Sequence, residues 1–337
     1  MRIDTDDGVT GFGESQADIG FFGESVEAVC AAVDGYLGPQ LVGKDPLDRE
    51  FLLHSIDYRG NSCARSGIDL ALHDLIGKIL QVPASVLLGG AHRMRVAVAL
   101  EVAGGSPADM AARCREFMGQ GVRAFKPKIG GLPEADAERL VAIREAVGPE
   151  ACLRADANQG YTPKEAIRLC RILDAAGVDL EVLEQPVPAW DLEGMAAVRR
   201  AVDTPIEADE SCYTVHDALR IVRTEAADVL NIKLGKAGGL YAAKKIAVIA
   251  ESAGLGCVVG TAFGLGLEIA AKLHLAASTV VVSDAVEFTE LALHRNLLES
   301  PHNGSLSLPL TDGCLAVPTG PGLGVELDRD DVGTFSG

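Results

Sequence analysis

Five short stretches of this sequence end in a charged residue directly after a strand-like apolar run. They end at Lys128, Asp156, Glu184, Asp209 and Lys233, and successive members lie about 24 to 28 residues apart. That interval is the length of one strand, one helix and two loops. The pattern therefore predicts an α/β chain whose repeated strand–helix units bring the five side chains to the same edge of a parallel sheet.

Eight strands of this kind are predicted, which is the number that closes a parallel barrel. They cover residues 95–102, 122–128, 151–156, 180–184, 205–209, 229–233, 256–260 and 285–289. Upstream, an Asp7-Gly8 hairpin signal and three helical patterns indicate a small α+β domain. We therefore predict a cap over residues 1–90, the barrel over 91–298, and a tail over 299–337 that returns to the cap.

The charge of the chain limits its partners. Lys and Arg number 30 against 48 Asp and Glu, so the net charge is -18. An acidic chain is a poor partner for nucleic acids and anionic membranes. No apolar run reaches the roughly 18 to 20 residues that span a bilayer, and the N-terminus lacks a signal-peptide pattern. We therefore expect a cytoplasmic protein that has no membrane partner. Its expected partner is a small-molecule substrate.

Three of the five strand-end residues are carboxylates, namely Asp156, Glu184 and Asp209. Each alone is compatible with a helix cap, but three acids on successive strands repel one another unless a cation lies between them. Ligands that are all oxygen favour a hard cation, Mg²⁺ first and Mn²⁺ second. Four further residues are expected to hydrogen-bond these ligands and fix their orientation, namely Arg154, Asn158, Glu210 and Asn231.

Lysines flank the predicted metal site on both sides. Lys126 and Lys128 project to the same side of their strand because strand side chains alternate. A second ammonium group, a nearby metal and partial burial are expected to lower the lysine pKa and so provide a base. A pair of surface lysines is the simpler interpretation, but the matching Lys233 favours catalysis. We predict Lys128 and Lys233 as the acid/base pair, with Lys126 as an anchor or tuning group.

Other motifs do not predict a different function. Residues 264–269 begin like a dinucleotide-binding loop, but Ile269 stands where the third glycine should be. The histidines show no metal-binding spacing. His73 and His274 lie in helical patterns, where a structural role is the expected one.

At Lys-Pro-Lys (126–128), the three acids and Asn-Ile-Lys (231–233), the chain resembles the muconate lactonizing branch of the enolase superfamily, the mandelate racemase/muconate lactonizing enzyme family. The resemblance covers nearly the whole length. It implies a (β/α)7β modified TIM barrel with an N-terminal α+β capping domain, and a homo-oligomer. It also implies that a substrate carboxylate binds Mg²⁺ while a lysine removes or delivers the α-proton through an enolate.

The resemblance leaves the reaction and the substrate open. Two opposed lysines fit racemisation or epimerisation, a β-leaving group gives dehydration, and a muconate cycloisomerase uses the same intermediate. Residues 260–268 and 287–291, with Thr261, Glu287 and Glu290 as substrate-side candidates, resemble enzymes of proline-type amino acids, including cis-3-hydroxyproline dehydratases. A metal-binding barrel without catalysis is the alternative from another class. Relatives carry strands and a specificity loop before the segment at Arg2, so we expect either that the start of the sequence is misassigned or that the pocket is capped differently.

Overall fold

The computed structural model describes residues 1–290 and 308–326. The chain opens with an antiparallel hairpin, β1 (Arg2–Asp4) and β2 (Thr10–Phe12). Helices α1 (Val26–Ala32), α2 (Arg49–Ser55), α3 (Ser62–Leu80) and α4 (Ala84–Leu87) follow, with a π-helical turn at Val33–Leu37 and a 3-10 turn at Gly38–Gln40. The hairpin and the residue after it lie directly on α3: a Cβ at Gly11 would lie 2.4 Å from Ala71 O, and one at Gly13 would lie 2.0 Å from Gly67 O.

Eight parallel strands form the centre of the molecule. They are β3 (Arg95–Val102), β4 (Ala124–Pro127), β5 (Cys152–Asp156), β6 (Val182–Glu184), β7 (Ile206–Ala208), β8 (Val229–Ile232), β9 (Gly256–Val259) and β10 (Ala285–Glu287). Their order is β10-β3-β4-β5-β6-β7-β8-β9. Cys257 N donates to Val281 O at 3.1 Å and Ser283 N donates to Cys257 O at 2.8 Å, so hydrogen bonds also join β9 to the segment before β10. The predicted α/β barrel with a cap is confirmed, and every predicted strand contains the observed one.

Helices connect successive strands around the outside. They are α5 (Pro107–Met118), α6 (Pro133–Val147), α7 (Pro163–Ala175), α8 (Leu192–Ala201), α9 (Val215–Thr224), α10 (Leu234–Ala237), α11 (Leu240–Ser252) and α12 (Gly266–Ala277). Capping boxes at Ser106, Thr162 and Thr214 start three of them shortly after a strand ends. Each such start returns the chain sharply to the barrel wall. Within the described residues, no helix is long and apolar enough to cross a membrane.

The described part of the tail contacts both the barrel and the cap. Strand β11 (Cys314–Ala316) pairs antiparallel with β3. Gly322 N donates to Val82 O at 3.0 Å, and Leu323 N donates to Asp74 Oδ1 at 2.9 Å. The predicted boundary at 298/299 lies outside the described residues, and the division at 90/91 stays a prediction.

Candidate active site

The carboxyl ends of neighbouring strands bring the predicted acids together. Asp156 ends β5, Glu184 ends β6, and the two are paired in the strand register. Asp209 directly follows β7. All three side chains are fully buried. Parallel strands therefore place these acids at one mouth of the barrel, as the spacing predicts.

Lys126 lies among these acids and is completely buried. Its Nζ is 2.9 Å from Glu184 Oε2, 2.8 Å from Glu287 Oε2 and 3.7 Å from Asp156 Oδ2. It is also 3.3 Å from Glu101 Oε1. One ammonium group thus links carboxylates from four strand ends.

Lys128 and Lys233 occupy opposite flanks of the acid row. Lys128 Nζ lies 2.6 Å from Asp156 Oδ2, and its side chain is 25% exposed. Lys233 Nζ lies 2.6 Å from Asp209 Oδ2 and is 2% exposed. In strand order, the two pairs stand on either side of Glu184. A substrate above Glu184 would therefore have an ammonium group on each side.

Three charged residues of the site were not predicted from the sequence. Glu101, near the end of β3, contacts Lys128 Nζ at 2.9 Å. Glu207 is buried inside the barrel, and both of its carboxylate oxygens lack a hydrogen-bond partner among the described residues. Lys236 of α10 donates to Asp209 Oδ1 and, at 2.7 Å, to Asp209 O. For Glu207 the sequence contains a usable signal. It precedes Asp209 by two residues, so strand alternation places both side chains on the same face.

Of the predicted outer residues, three lie beside the acids. Asn231 Nδ2 donates to Glu184 Oε1 at 3.1 Å. Asn158 N donates to Asp156 Oδ1 at 2.9 Å, and Asn158 Nδ2 donates to Glu210 Oε1 at 3.1 Å.

Arg154 lies elsewhere in the barrel. Its Nε donates to Glu181 Oε2 at 2.6 Å, and its Nη2 donates to Ser283 Oγ at 3.4 Å. Both partners precede strands, so this guanidinium group lies toward the amino ends of the strands and not at the mouth with Asp156.

The candidates on the last two strands form a second, connected cluster. Thr261 N donates to Glu287 Oε2 at 3.3 Å, and Thr261 Oγ1 donates to Glu290 Oε2 at 2.6 Å. Lys272 of α12 donates to Glu290 Oε1 at 2.6 Å and to Glu287 O at 2.7 Å. Because Glu287 also contacts Lys126, the two clusters are continuous.

A segment of the cap, residues 14–22, covers the mouth. Lys233 Nζ lies 4.3 Å from the ring centroid of Phe21, a cation–π distance. Tyr213 Oη donates to Phe21 O at 3.0 Å. Phe21 of the cap therefore packs directly against the Lys233 ammonium group.

Burial and neighbouring carboxylates raise the pKa of two acids in the site. Burial and the Asp156 carboxylate raise the pKa of Glu184 well above its ordinary value. Burial and Glu287 raise the pKa of Glu207 to about 8. Uncompensated negative charge in a closed site produces shifts of this sign.

The carboxylates around the lysines act on their pKa. Burial lowers the pKa of Lys126, but Glu184 and Glu287 outweigh burial and raise it. For Lys128, burial and Lys126 lower the pKa, yet Asp156 and Glu101 leave it raised. A lowered lysine pKa therefore requires the predicted cation to neutralise these carboxylates, and it stays a prediction.

The donor set fits a hard divalent cation. Glu184, Glu207 and Glu287 each place a carboxylate oxygen within 4.8 Å of the others. Both oxygens of Glu207 and one of Glu287 lack a partner in the described part of the chain. In this structure Asp156 forms a salt bridge with Lys128, and Asp209 forms salt bridges with Lys233 and Lys236. Buried oxygens with surplus negative charge are the chemistry that Mg²⁺ neutralises.

Comparison with known proteins agrees with this geometry. Residues 1–89 match the family model described as "Mandelate racemase / muconate lactonizing enzyme, N-terminal domain", and residues 109–332 match "Enolase C-terminal domain-like". The chain belongs to the mandelate racemase/muconate lactonizing enzyme family. The resemblance stated from the motifs is thus confirmed, and this family member is an enzyme of the enolase superfamily.

Relatives of this family member are epimerases, racemases and cycloisomerases. L-Ala-D/L-Glu epimerase of Bacillus subtilis is 36% identical over 96% of this chain and 88% of its own length. Its substrate-liganded structure has a TM-score of 0.89, covering 96% of this chain and 89% of that one. Chloromuconate cycloisomerase of Cupriavidus pinatubonensis is 36% identical over 100% of this chain and 90% of its own.

A dipeptide epimerase of Enterococcus faecalis provides a third comparison. Its structure, complexed with Mg and the dipeptide L-Leu-L-Tyr, is 35% identical, covers 96% of this chain and 90% of that one, and has a TM-score of 0.88. These relatives are isomerases. The activity of this family member is therefore of the epimerase, racemase or cycloisomerase type, at a site of acidic residues that could bind a metal.

Proposed function

We propose that this enzyme moves a proton off and onto the α-carbon of a small carboxylate, an amino-acid or dipeptide derivative, and so racemises or epimerises it. The supporting observation is the placement of Lys128 and Lys233, each 2.6 Å from an outer acid and on opposite flanks of Glu184. A proton removed on one face and returned on the other inverts the carbon. Two opposed ammonium groups suit that reaction.

On this proposal the acids predicted from the sequence, Asp156, Glu184 and Asp209, hold Mg²⁺, with Mn²⁺ as the alternative ion. The cation would displace the lysine contacts that Asp156 and Asp209 make in this structure. When bound, the cation supplies positive charge next to the substrate oxygen on which negative charge develops. Lys126 fixes Glu184 and Glu287 in place. Lys128 and Lys233 hold and move the proton at Nζ.

Deuterium incorporation tests the proton transfer. The Mg²⁺-loaded enzyme is incubated in D₂O with L-Ala-L-Glu, L-Leu-L-Tyr, N-succinyl-L-lysine, cis,cis-muconate and cis-3-hydroxy-L-proline, and the α-hydrogen is followed by NMR. We expect exchange and inversion with an amino-acid derivative. Lys128→Ala and Lys233→Ala should each stop inversion and each keep exchange from one enantiomer only. Inversion that persists in either variant contradicts the assigned pair.

Muconate cycloisomerisation is the second candidate, because the chloromuconate enzyme matches this chain over its entire length. This candidate would be supported if the enzyme converts cis,cis-muconate and does not exchange the α-hydrogen of any amino-acid derivative. Dehydration is recognised by loss of water from the hydroxyproline. The non-catalytic metal-binding barrel is set aside, because the relatives are epimerases, racemases and cycloisomerases. Homo-oligomerisation and a cytoplasmic location stay predictions.

A further inference from the structure

Glu101 of β3 is a buried acid that the chemistry proposed above does not use. Its Oε1 lies 2.9 Å from Lys128 Nζ. The same Nζ lies 2.6 Å from Asp156 Oδ2, and Asp156 is one of the proposed cation ligands. Glu101 is therefore the carboxylate that stays available to Lys128 when a cation binds Asp156.

The barrel wall fixes Glu101 and Lys128 relative to each other. Glu101 is paired with Lys126 of β4 in the strand register. Lys128 N donates to Val102 O at 2.9 Å, so the main chain of the lysine is hydrogen-bonded to the residue after Glu101. Burial raises the pKa of Glu101, but Lys126 and Lys128 outweigh burial and hold it below its ordinary value, so the carboxylate is charged. A charge-assisted contact thus joins the ends of two neighbouring strands.

Lys233, on the opposite flank, is held in a different way. Its Nζ lies 2.6 Å from Asp209 Oδ2, and Asp209 is also a proposed cation ligand. The same Nζ lies 4.3 Å from the centroid of the Phe21 ring, and Phe21 belongs to the cap. A cation–π contact constrains an ammonium group less than a carboxylate does. One predicted acid/base lysine is therefore supported by a barrel carboxylate, and the other by an aromatic ring of the cap.

Loss of Glu101 is expected to act on Lys128 more than on its other neighbour. Lys126 Nζ lies 3.3 Å from Glu101 Oε1, but it also lies 2.8 Å from Glu287 Oε2. Lys126 would therefore keep a close carboxylate that is not a proposed ligand. Lys128 would share its remaining partner, Asp156, with the cation.

We propose that Glu101 is a positioning residue that holds Lys128 for proton transfer on one face of the substrate. Misplacing an acid/base group by a small distance is costly, because the reaction needs the proton and the carbon in line. Proton transfer on the other face depends on Lys233 and should not need Glu101. This inference rests on the proposed function and deepens it, because it gives one of the two proton transfers a support of its own.

The first experiment measures initial deuterium incorporation from each enantiomer separately, in the Mg²⁺-loaded wild type, Glu101→Gln and Glu251→Gln, an exposed control on α11. The enantiomer that depends on Lys128 is the one that Lys233→Ala still exchanges. Glu101→Gln should lower kcat for exchange of this enantiomer at least about tenfold, with KM changed less than about twofold. Exchange of the other enantiomer should stay close to the wild-type rate.

Equal losses for both enantiomers in Glu101→Gln, or a loss confined to the enantiomer that depends on Lys233, would overturn the proposal. Glu101→Asp keeps the charge on a shorter side chain. It should retain more exchange of the Lys128-dependent enantiomer than Glu101→Gln does. Equal impairment of that enantiomer in the two variants would show that the carboxylate is not what holds the lysine.

The second experiment needs no turnover. The side chain of Lys128 is 25% exposed, so N-hydroxysuccinimide acetate can acetylate it, and peptide mass spectrometry follows the rate. In the Mg²⁺-loaded protein, Glu101→Gln should raise this rate at least about threefold over the wild type, because the ammonium group has lost the carboxylate that holds it. In the metal-free protein Asp156 still contacts Lys128, so the difference should be smaller. Equal rates in the two Mg²⁺-loaded proteins would contradict the positioning role.

The two experiments separate this inference from the proposed function. If the acetylation pattern is found but no compound exchanges its α-hydrogen, the proposed function fails and the support of Lys128 by Glu101 stands. If exchange occurs but Glu101→Gln slows both enantiomers alike, the role of Glu101 fails and the proposed function stands. In calorimetry, Glu101→Gln should weaken Mg²⁺ binding less than Asp209→Asn does. A larger loss would make Glu101 a cation ligand and overturn the positioning role.

Discussion

Acid is expected to weaken the junction between cap, barrel and tail through His274. This side chain is buried; Ser85 N donates to its Nδ1 at 3.3 Å, and its Nε2 lies 3.1 Å from Leu323 O. An amide N–H can only donate and a carbonyl can only accept, so the ring is neutral with its proton on Nε2. A second proton on Nδ1 would face the Ser85 N–H.

Burial lowers the pKa of His274 from 6.5 to about 4; the Leu323 carbonyl and Asp74 raise it, and His73 lowers it. Because the pKa is lower in the folded than in the unfolded state, the unfolded chain binds the proton first. Stability from this group is therefore complete above pH 6.5 and lost as the pH falls toward 4. The loss is about 3 kcal/mol, since one pKa unit corresponds to about 1.4 kcal/mol.

Urea unfolding of the wild type, His274→Gln and His216→Gln between pH 7.5 and 4.5 measures this effect. His216 is exposed on α9 and serves as the matched control. Acidic groups also titrate in this range, so the informative quantity is the difference between variants. His274→Gln should be less stable at pH 7.5 and lose about 3 kcal/mol less than the others on acidification. Parallel losses in all three proteins would refute the argument.

Three further outcomes are expected. Asp209→Asn should weaken Mg²⁺ binding by more than about tenfold, measured by calorimetry, and Glu207→Gln should weaken it by a smaller factor. If Glu207→Gln has the larger effect, the ion binds deeper in the barrel than proposed. Lys236→Met should cost about 3 kcal/mol in urea unfolding, because buried Asp209 loses a charged partner; no cost would show that Lys233 suffices. Gly13→Ala should cost about 1 to 3 kcal/mol through overlap with α3, whereas exposed Gly20→Ala should change little.

The sequence predicts the barrel well because five of the eight predicted strands end at a charged residue. The predicted strand 95–102 coincides with β3, and the predicted strand 151–156 ends at Asp156 as β5 does. Apolar runs that stop at a charged group, followed by capping residues such as Thr162, are local signals. Such signals need no knowledge of the partner strand.

What the sequence does not predict depends on packing between distant segments. Lys236 lies on a helix of one turn, too short for a periodic pattern. Glu268 lies on α12, which is buried nearly all round, so helical periodicity gives no preferred face. The carboxylates that raise the pKa of Lys128 come from the strands on either side of its own, Asp156 from β5 and Glu101 from β3. The tail sequence is strand-like at 306–308 and 324–327, whereas the observed strand β11 lies at Cys314–Ala316; residues 306–307 and 327 fall outside the described residues.

The attachment of residues 322 and 323 has a consequence for synthesis on the ribosome. Asp74 accepts from Phe12 N at 2.8 Å and from Leu323 N at 2.9 Å, so one carboxylate joins a segment translated before the barrel to one translated after it. Gly322 O likewise accepts from Ala84 N at 2.7 Å. The nascent cap therefore waits for the whole barrel to be translated before these polar groups find their partners. Ribosomes stalled upstream of residue 322 would hold a barrel whose cap is still open to proteases and chaperones.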